Sequence, residues 1–371
     1  MFSSRLDWEA APNPLSLLAE QKRAAGRPVL DLTESNPTRA GFAYPRGIIE
    51  ALADHRALRY DPSPRGLASA RQAVADYYAA RGRKFHPEDI LLTASTSEAY
   101  SFLFKLLADP GDEFLAPRPS YPLFEHLAAL ESARIRQYAL RYDGSWRIDF
   151  STLEVTARTR AIVVVNPNNP TGSFLKAGEW ERLESYGLPI LCDEVFADYP
   201  FAPPPPASPR GLTFFLNGLS KIAGLPQMKL GWIAASGAGR QAALQRLEFV
   251  ADTYLSVASP VQLALPALLA SASRLAGQIR ERTRANLDFL RAASRDSAAA
   301  VLDVEGGWYA IARLPRTRGE EEWALHLLAE RDVLAQPGFF FDFEEEAYLV
   351  LSLLPPPEIF QEGVRRILAS V

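Results

Sequence analysis

Four short segments of this chain carry side chains that could act together. In Leu-Asn-Gly-Leu-Ser-Lys, Lys221 follows directly on a strand-like run. A lysine there can be desolvated, which lowers its pKa and frees the amine to form an imine with an aldehyde. Most lysines are solvated surface groups, so this signal is weak alone. In Ile-Leu-Cys-Asp-Glu-Val, Asp193 ends an apolar run. A carboxylate buried there needs a partner. That partner is either a protein cation or cap, or a pyridine nitrogen that the carboxylate would keep protonated and electron-withdrawing. Asn166-Pro-Asn-Asn-Pro-Thr-Gly172 makes a tight turn, and an Asn at its tip could donate to a phenolate oxygen. Ser95-Thr96-Ser97-Glu98 follows a strand and opens an apolar helix. Its spacing fits a capping box, and the same hydroxyls and free N–H groups fit a phosphate.

The elements that must position these groups alternate. Between about residues 65 and 255, strand-like and helix-like stretches follow one another, the pattern of a mainly parallel sheet between helices. Asp-Ile-Leu-Leu-Thr, Glu-Phe-Leu-Ala-Pro, Ala-Ile-Val-Val-Val, Pro-Ile-Leu-Cys and Thr-Phe-Phe-Leu read as strands, as does Leu-Gly-Trp-Ile-Ala-Ala. Continuous apolar runs of this kind suit strands covered on both faces. Ligands bind beyond the carboxyl ends of such strands, so the polar tips should converge. Past residue 260 a long helical stretch precedes strands at Gly306–Leu314 and Ala347–Leu354 and a closing helix, which reads as a smaller α+β unit. The four prolines at 203–206 read as a loop.

The bulk numbers restrict the partners. With 371 residues, 48% hydrophobic and 23% charged, the chain is of globular composition and long enough for two domains. A net charge of −4 and the lack of a basic patch argue against nucleic acid. There is no apolar run of membrane-spanning length and no secretion signal, so the expected setting is the cytoplasm. Cys192 is the only cysteine, so no intramolecular disulfide can form. His55, His86, His126 and His326 show no metal-ligand spacing, and no metal is expected. Gly237-Ala-Gly239 followed by Ala242 is a degenerate dinucleotide fingerprint without its acidic partner.

Taken in order, these segments resemble the class I/II aminotransferase family, whose members share the fold-type-I architecture of aspartate aminotransferase and use pyridoxal 5'-phosphate. The resemblance rests on Tyr60–Tyr78, Leu91–Tyr100, Pro110–Phe124, Asn166–Gly172, Cys192–Val195, Gly218–Lys221 and the 305–315 and 334–343 stretches. It implies an α/β large domain, 46–260, with a mainly parallel seven-stranded sheet, and a smaller α+β domain from 1–45 and 261–371. It implies that Lys221 carries the cofactor as a Schiff base, with Asp193 on the pyridine nitrogen and Asn169 on the ring oxygen. Tyr121 would stack on the ring. Ser95, Thr96, Ser97, Ser220 and Lys229 would hold the phosphate, joined by Tyr60 from the other subunit of a homodimer. The substrates implied are an amino donor and a 2-oxo acid.

Three residues depart from the family pattern. Phe196 stands where a tyrosine normally donates to the ring oxygen, and Tyr199 is the neighbour that could stand in for it. Lys229 replaces an arginine on the phosphate, a point charge in place of a fork. Val350 occupies the place of the arginine that takes the substrate α-carboxylate. Either another residue takes that role, with Arg39, Arg118 and Asn36 as candidates, or the substrate lacks the carboxylate. The last option raises a lyase or decarboxylase on the same fold as the alternative to an aminotransferase. A non-catalytic regulatory domain would not need Lys221, Asp193 and Asn169 together.

Overall fold

The computed structural model describes residues 2–6, 8, 12–205 and 209–371. Its strands in chain order are β1 (Leu30–Asp31), β2 (Ile90–Thr93), β3 (Glu113–Arg118), β4 (Arg134–Tyr142) and β5 (Trp146–Ile148). They continue as β6 (Thr159–Val165), β7 (Ile190–Asp193), β8 (Thr213–Gly218), β9 (Gly231–Ser236), β10 (Ala300–Val301) and β11 (Tyr309–Arg313). The last are β12 (Val333–Leu334), β13 (Gln336–Pro337) and β14 (Tyr348–Ser352).

The large sheet runs β2-β9-β8-β7-β6-β3-β4-β5. It has eight strands where seven were expected. The extra one, β5, is a three-residue hairpin return antiparallel to β4 at the sheet edge. The other departure from parallel order is β9, which runs antiparallel between β2 and β8. Strand pleating sends alternate side chains to opposite faces, and each face has its own core. Leu115, Ile162, Val164, Ile190, Cys192 and Phe215 face one layer. Phe114, Val163, Leu191, Phe214, Leu216 and Ile233 face the other. Covering the first face are the helix Ala68–Ala79 and the beginning of the helix Ser259–Ala293. The helices Thr96–Leu107, Leu123–Leu130 and Arg240–Tyr254 cover the second.

The smaller unit is a four-stranded antiparallel sheet, β10-β11-β14-β13, beside the parallel pair β1–β12. One helix of 35 residues, Ser259–Ala293, joins the two units. Val261, Leu265 and Leu268 enter the large-sheet core, while Leu287 and Leu290 enter the small-sheet core with Phe360 and Val364. Across the seam, the Ser120 N–H donates to the Phe341 carbonyl at 3.0 Å and the Gln137 amide to Asp342 at 3.0 Å. Of the four-proline loop, Pro203–Pro205 lie outside any helix or strand, and Pro206 falls outside the described residues. Among the described residues, no helix is long and apolar enough to cross a membrane.

Candidate active site

The polar tips do converge at the carboxyl ends of β2, β6, β7 and β8. Asp193 is the last residue of β7. One carboxylate oxygen accepts the Val195 N–H at 3.0 Å, and the other accepts the Tyr100 hydroxyl at 3.1 Å. Burial pushes its carboxyl up to about 6, against the lowering pull of those two donors and of Lys221. Lys221 lies in the short helix Leu219–Ile222 that begins where β8 ends. Burial pulls its amine down to about 8, while Asp193 opposes the fall. The ammonium nitrogen stands 5.0 Å from the Trp308 ring centre and 5.6 Å from that of Phe196. An apolar, aromatic wall thus favours the neutral amine, and a carboxylate nearby keeps it within reach of protonation.

The turn after β6 divides its asparagines by task. The Asn166 side chain accepts the Leu175 N–H at 3.0 Å. Asn168 donates to the Pro119 carbonyl at 3.0 Å and to Thr171 at 2.9 Å. Asn169 is buried, yet its side-chain oxygen has no partner among the described residues. Its side-chain N–H group, the part of the amide that can donate to an oxygen, likewise has no hydrogen-bond partner among the described residues. Tyr121 is 45% exposed, with its phenol pushed up by burial and by the charge of Asp193.

The helix Thr96–Leu107 is capped by Ser95, whose hydroxyl accepts the Glu98 N–H at 3.1 Å. Glu98 reaches back to the Ala94 N–H at 2.6 Å rather than to that of Ser95, so the box is shifted by one residue. Thr96 and Ser97 are half-buried in the first turn. Above them Gly231 packs so tightly that a Cβ would lie 3.2 Å from Thr96 N and 3.0 Å from the Asn217 carbonyl. Gly218, opposite, leaves no more room, since its Cβ would meet Leu230 O at 2.9 Å. Two glycines therefore let three chain segments meet around a cradle of N–H groups and hydroxyls, the form of a phosphate site. Ser220 is half-buried beside it, and Lys229 is exposed at φ 48°.

Of the remaining sequence candidates, Phe196 and Tyr199 adjoin Lys221, whereas Tyr60, Arg118, Asn36 and Arg39 make no hydrogen bond or ion pair with it among the described residues. Tyr60 is 78% exposed. Arg118 is ion-paired with Glu344 and borders a separate cleft with Arg141, Tyr142 and Trp146. Asn36 turns inward on its own loop, accepting Thr38 N at 3.0 Å and Thr38 Oγ1 at 2.7 Å. Arg39 approaches Glu34 at 3.9 Å. Phe196 is buried edge-on against Trp308, with ring centres 5.2 Å apart. The Tyr199 hydroxyl donates to the Lys221 carbonyl at 2.5 Å, so it is engaged in holding the lysine loop. Val350 is completely buried on β14 among Trp146, Ile311, Phe341 and Tyr348. Sequence reasoning missed Tyr100, Trp308 and Tyr309. Each acts across elements, and only Tyr100 had a signal, its place one turn beyond the serine cluster.

A family model for class I and II aminotransferases matches residues 27–367. The chain belongs to that family. It is 32% identical over 270 residues to the glutamate-pyruvate aminotransferase AlaA of Escherichia coli (strain K12), covering 68% of this chain and 67% of that one. An S-alkyl-thiohydroximate lyase of Arabidopsis thaliana is 31% identical over 61% of this chain and 52% of its own. In architecture, alanine aminotransferase from Pyrococcus furiosus superposes with a TM-score of 0.90 over 100% of this chain and 99% of that one, at 24% identity. The chain is thus a fold-type-I aminotransferase, and the family implies pyridoxal 5'-phosphate as its cofactor.

Proposed function

We propose that the protein moves an amino group between an amino donor and a 2-oxo acid at Lys221, using pyridoxal 5'-phosphate. The observation that carries this is the pairing of a Lys221 amine lowered by burial to about 8 with a buried Asp193 carboxylate beside an unpartnered Asn169 amide. These residues fit the cofactor. Lys221 would bond its aldehyde carbon, Asp193 would meet the ring nitrogen, Asn169 the ring oxygen, and Tyr121 a ring face. Ser95, Thr96, Ser97, Ser220 and Lys229 would hold the phosphate. When bound, the cofactor supplies an electron sink and a carrier for the amino group.

The chain's own contribution is positional and protonic. Asp193 retains free lone pairs after its two hydrogen bonds, so it can accept from a ring N–H and hold that proton in place. With a pKa near neutrality, Lys221 can both take and return a proton at the substrate α-carbon. Tyr199 fixes the lysine backbone, and the Phe196 and Trp308 rings flank the amine at 5.6 and 5.0 Å.

The exposure of Tyr60, 78%, and of Leu58 two residues before it, 87%, supports a homodimer in which Tyr60 serves the partner's cofactor phosphate. The division into 46–260 and 1–45 with 261–371 is proposed as the pair of domains that carry the site between them. The cytoplasm is the proposed location, in keeping with a lone, buried cysteine.

The test is an absorbance spectrum of the protein with pyridoxal phosphate, before and after single amino acids without oxo acid. Formation of pyridoxamine phosphate with one donor is expected. A lyase or decarboxylase is the second reading, favoured by Val350 and by the lyase relative. Product release with the cofactor returned unchanged would establish it instead.

A further inference from the structure

A 2-oxo acid brings a carboxylate into a site walled by Phe196, Trp308, Tyr121 and Tyr309, and a carboxylate in such surroundings needs a cation or several donors. Of the cations nearby, Arg282 donates its guanidinium to the Ala40 and Leu354 carbonyls. β14 offers none, because Val350 sits between Ile311 of β11 and Gln336 of β13 with its side chain in an apolar cluster. Arg118 is committed to Glu344 in another cleft. Lys221 is the reacting group.

The segment 34–40 supplies a different answer. Its backbone is fixed to β14 just beyond Val350. Ser352 N donates to the Leu32 carbonyl at 2.7 Å, and Ser352 Oγ to the Glu34 carbonyl at 2.6 Å. Asn36 then folds the loop on Thr38, and the Arg39 N–H donates to the Asn36 carbonyl at 3.0 Å. The next residue, Ala40, is buried in one cluster with Phe196, Tyr199 and Trp308, the side chains around Lys221. Glu34 and Ser35 lie beside Tyr309, which in turn neighbours Tyr121. Arg39 is therefore held at both ends, one residue from the aromatic wall of the site. Its side chain is 75% exposed, and its one ionic contact, Glu34 at 3.9 Å, is at the limit of an ion pair. Such a guanidinium is tethered at its base and uncommitted at its fork.

We propose that Arg39 receives the substrate carboxylate in place of the missing β14 arginine, exchanging its loose contact with Glu34 for a two-pronged one. This rests on the aminotransferase reading and adds the residue that sets its preference for acids. Asn36 is then a positioning residue, acting through the loop that presents Arg39.

The experiment uses the holoenzyme and its Arg39→Ala and Arg39→Lys variants, with pyruvate and phenylpyruvate as acceptors. In Arg39→Ala, KM for the oxo acid should rise roughly 10- to 100-fold with kcat within about threefold, since the contact exists before the chemistry. The Kd of 3-phenylpropionate, a carboxylate that cannot react, should rise by about the same factor. Millimolar guanidine should recover part of the loss, and Arg39→Lys should fall between the two. A melting temperature equal to wild type excludes a folding effect. Unchanged KM and Kd in Arg39→Ala, or the same rise in Arg118→Ala instead, overturns the assignment while leaving the aminotransferase reading intact. A wild-type protein that forms no pyridoxamine phosphate with any amino donor brings down that reading and this inference with it.

Discussion

Burial works against the charged forms of Asp193 and Lys221, raising the carboxyl and lowering the amine. A carboxyl raised from 3.8 to about 6 costs the cofactor-free protein on the order of 3 kcal/mol above pH 6. That cost disappears as the pH falls towards 4, because the folded state then binds the proton more readily than the unfolded chain. Lys221 behaves in the opposite sense. Its amine is lowered from 10.5 to about 8, so its penalty is complete below pH 8 and is relieved as the pH rises towards 10. Urea midpoints of the cofactor-free protein should follow these slopes, and Asp193→Asn should flatten the first while stabilising the fold by roughly 1–3 kcal/mol at pH 7. The same variant should lose on the order of 10²- to 10³-fold in kcat. Phe196→Tyr would place a hydroxyl on the ring-oxygen side, which Tyr199 cannot reach while it donates to the Lys221 carbonyl. The pH midpoint of the cofactor's visible band should drop by about one unit in that variant. An unchanged midpoint would mean that Asn169 alone suffices.

The phosphate cradle belongs to the scale of elements, where a helix start, a strand end and a glycine pair meet. Ser95 both caps its helix and borders the cradle, so Ser95→Ala should cost about 1 kcal/mol of stability and also weaken cofactor binding. Thr96→Ala with Ser97→Ala should weaken binding alone, because their hydroxyls have no structural partner among the described residues. Gly231→Ala separates the two roles differently. Its Cβ would press on the backbone of Ser95, Thr96 and Asn217, none of which can swing aside. Cofactor Kd by fluorescence titration and melting temperature, measured on the three variants, will show whether affinity and stability divide as stated. Most of these elements were legible, because buried parallel strands are written as continuous apolar runs. β4 was not. It reads Arg-Ile-Arg-Gln-Tyr-Ala-Leu-Arg-Tyr, and its charged residues at the sheet edge break the run. Nor was the direction of β9 legible, since a strand covered on both faces has the same composition whichever way it runs.

For the molecule as a whole, the exposed apolar group around Tyr60 and the single helix through both cores set the expected behaviour. Leu58 is 87% exposed and Tyr60 78%, and the proposed homodimer would cover both. Leu58→Asp should give a monomer by light scattering at micromolar concentration, with weakened cofactor affinity from the loss of Tyr60. A dimer of unchanged affinity would refute that arrangement.

The chain by itself determined its fold class and its family and singled out Lys221, Asp193 and Asn169 as the candidate site, because strand tips and tight turns are local and their chemistry is tied to residue type. It also displayed the vacancy at Val350. What it could not decide was which arginine answers that vacancy. Arg39 and Arg118 look alike as letters, and only tertiary packing ties Arg118 to Glu344 in a separate cleft and buries Ala40, the neighbour of Arg39, with Phe196, Tyr199 and Trp308. The contacts of Tyr100, Trp308 and Tyr199 with Asp193 and Lys221 came to light in the same way. A burial-driven pKa and a hydrogen bond across elements depend on neighbours far apart in sequence, which the order of residues does not bring together until the sheet and the long helix have formed.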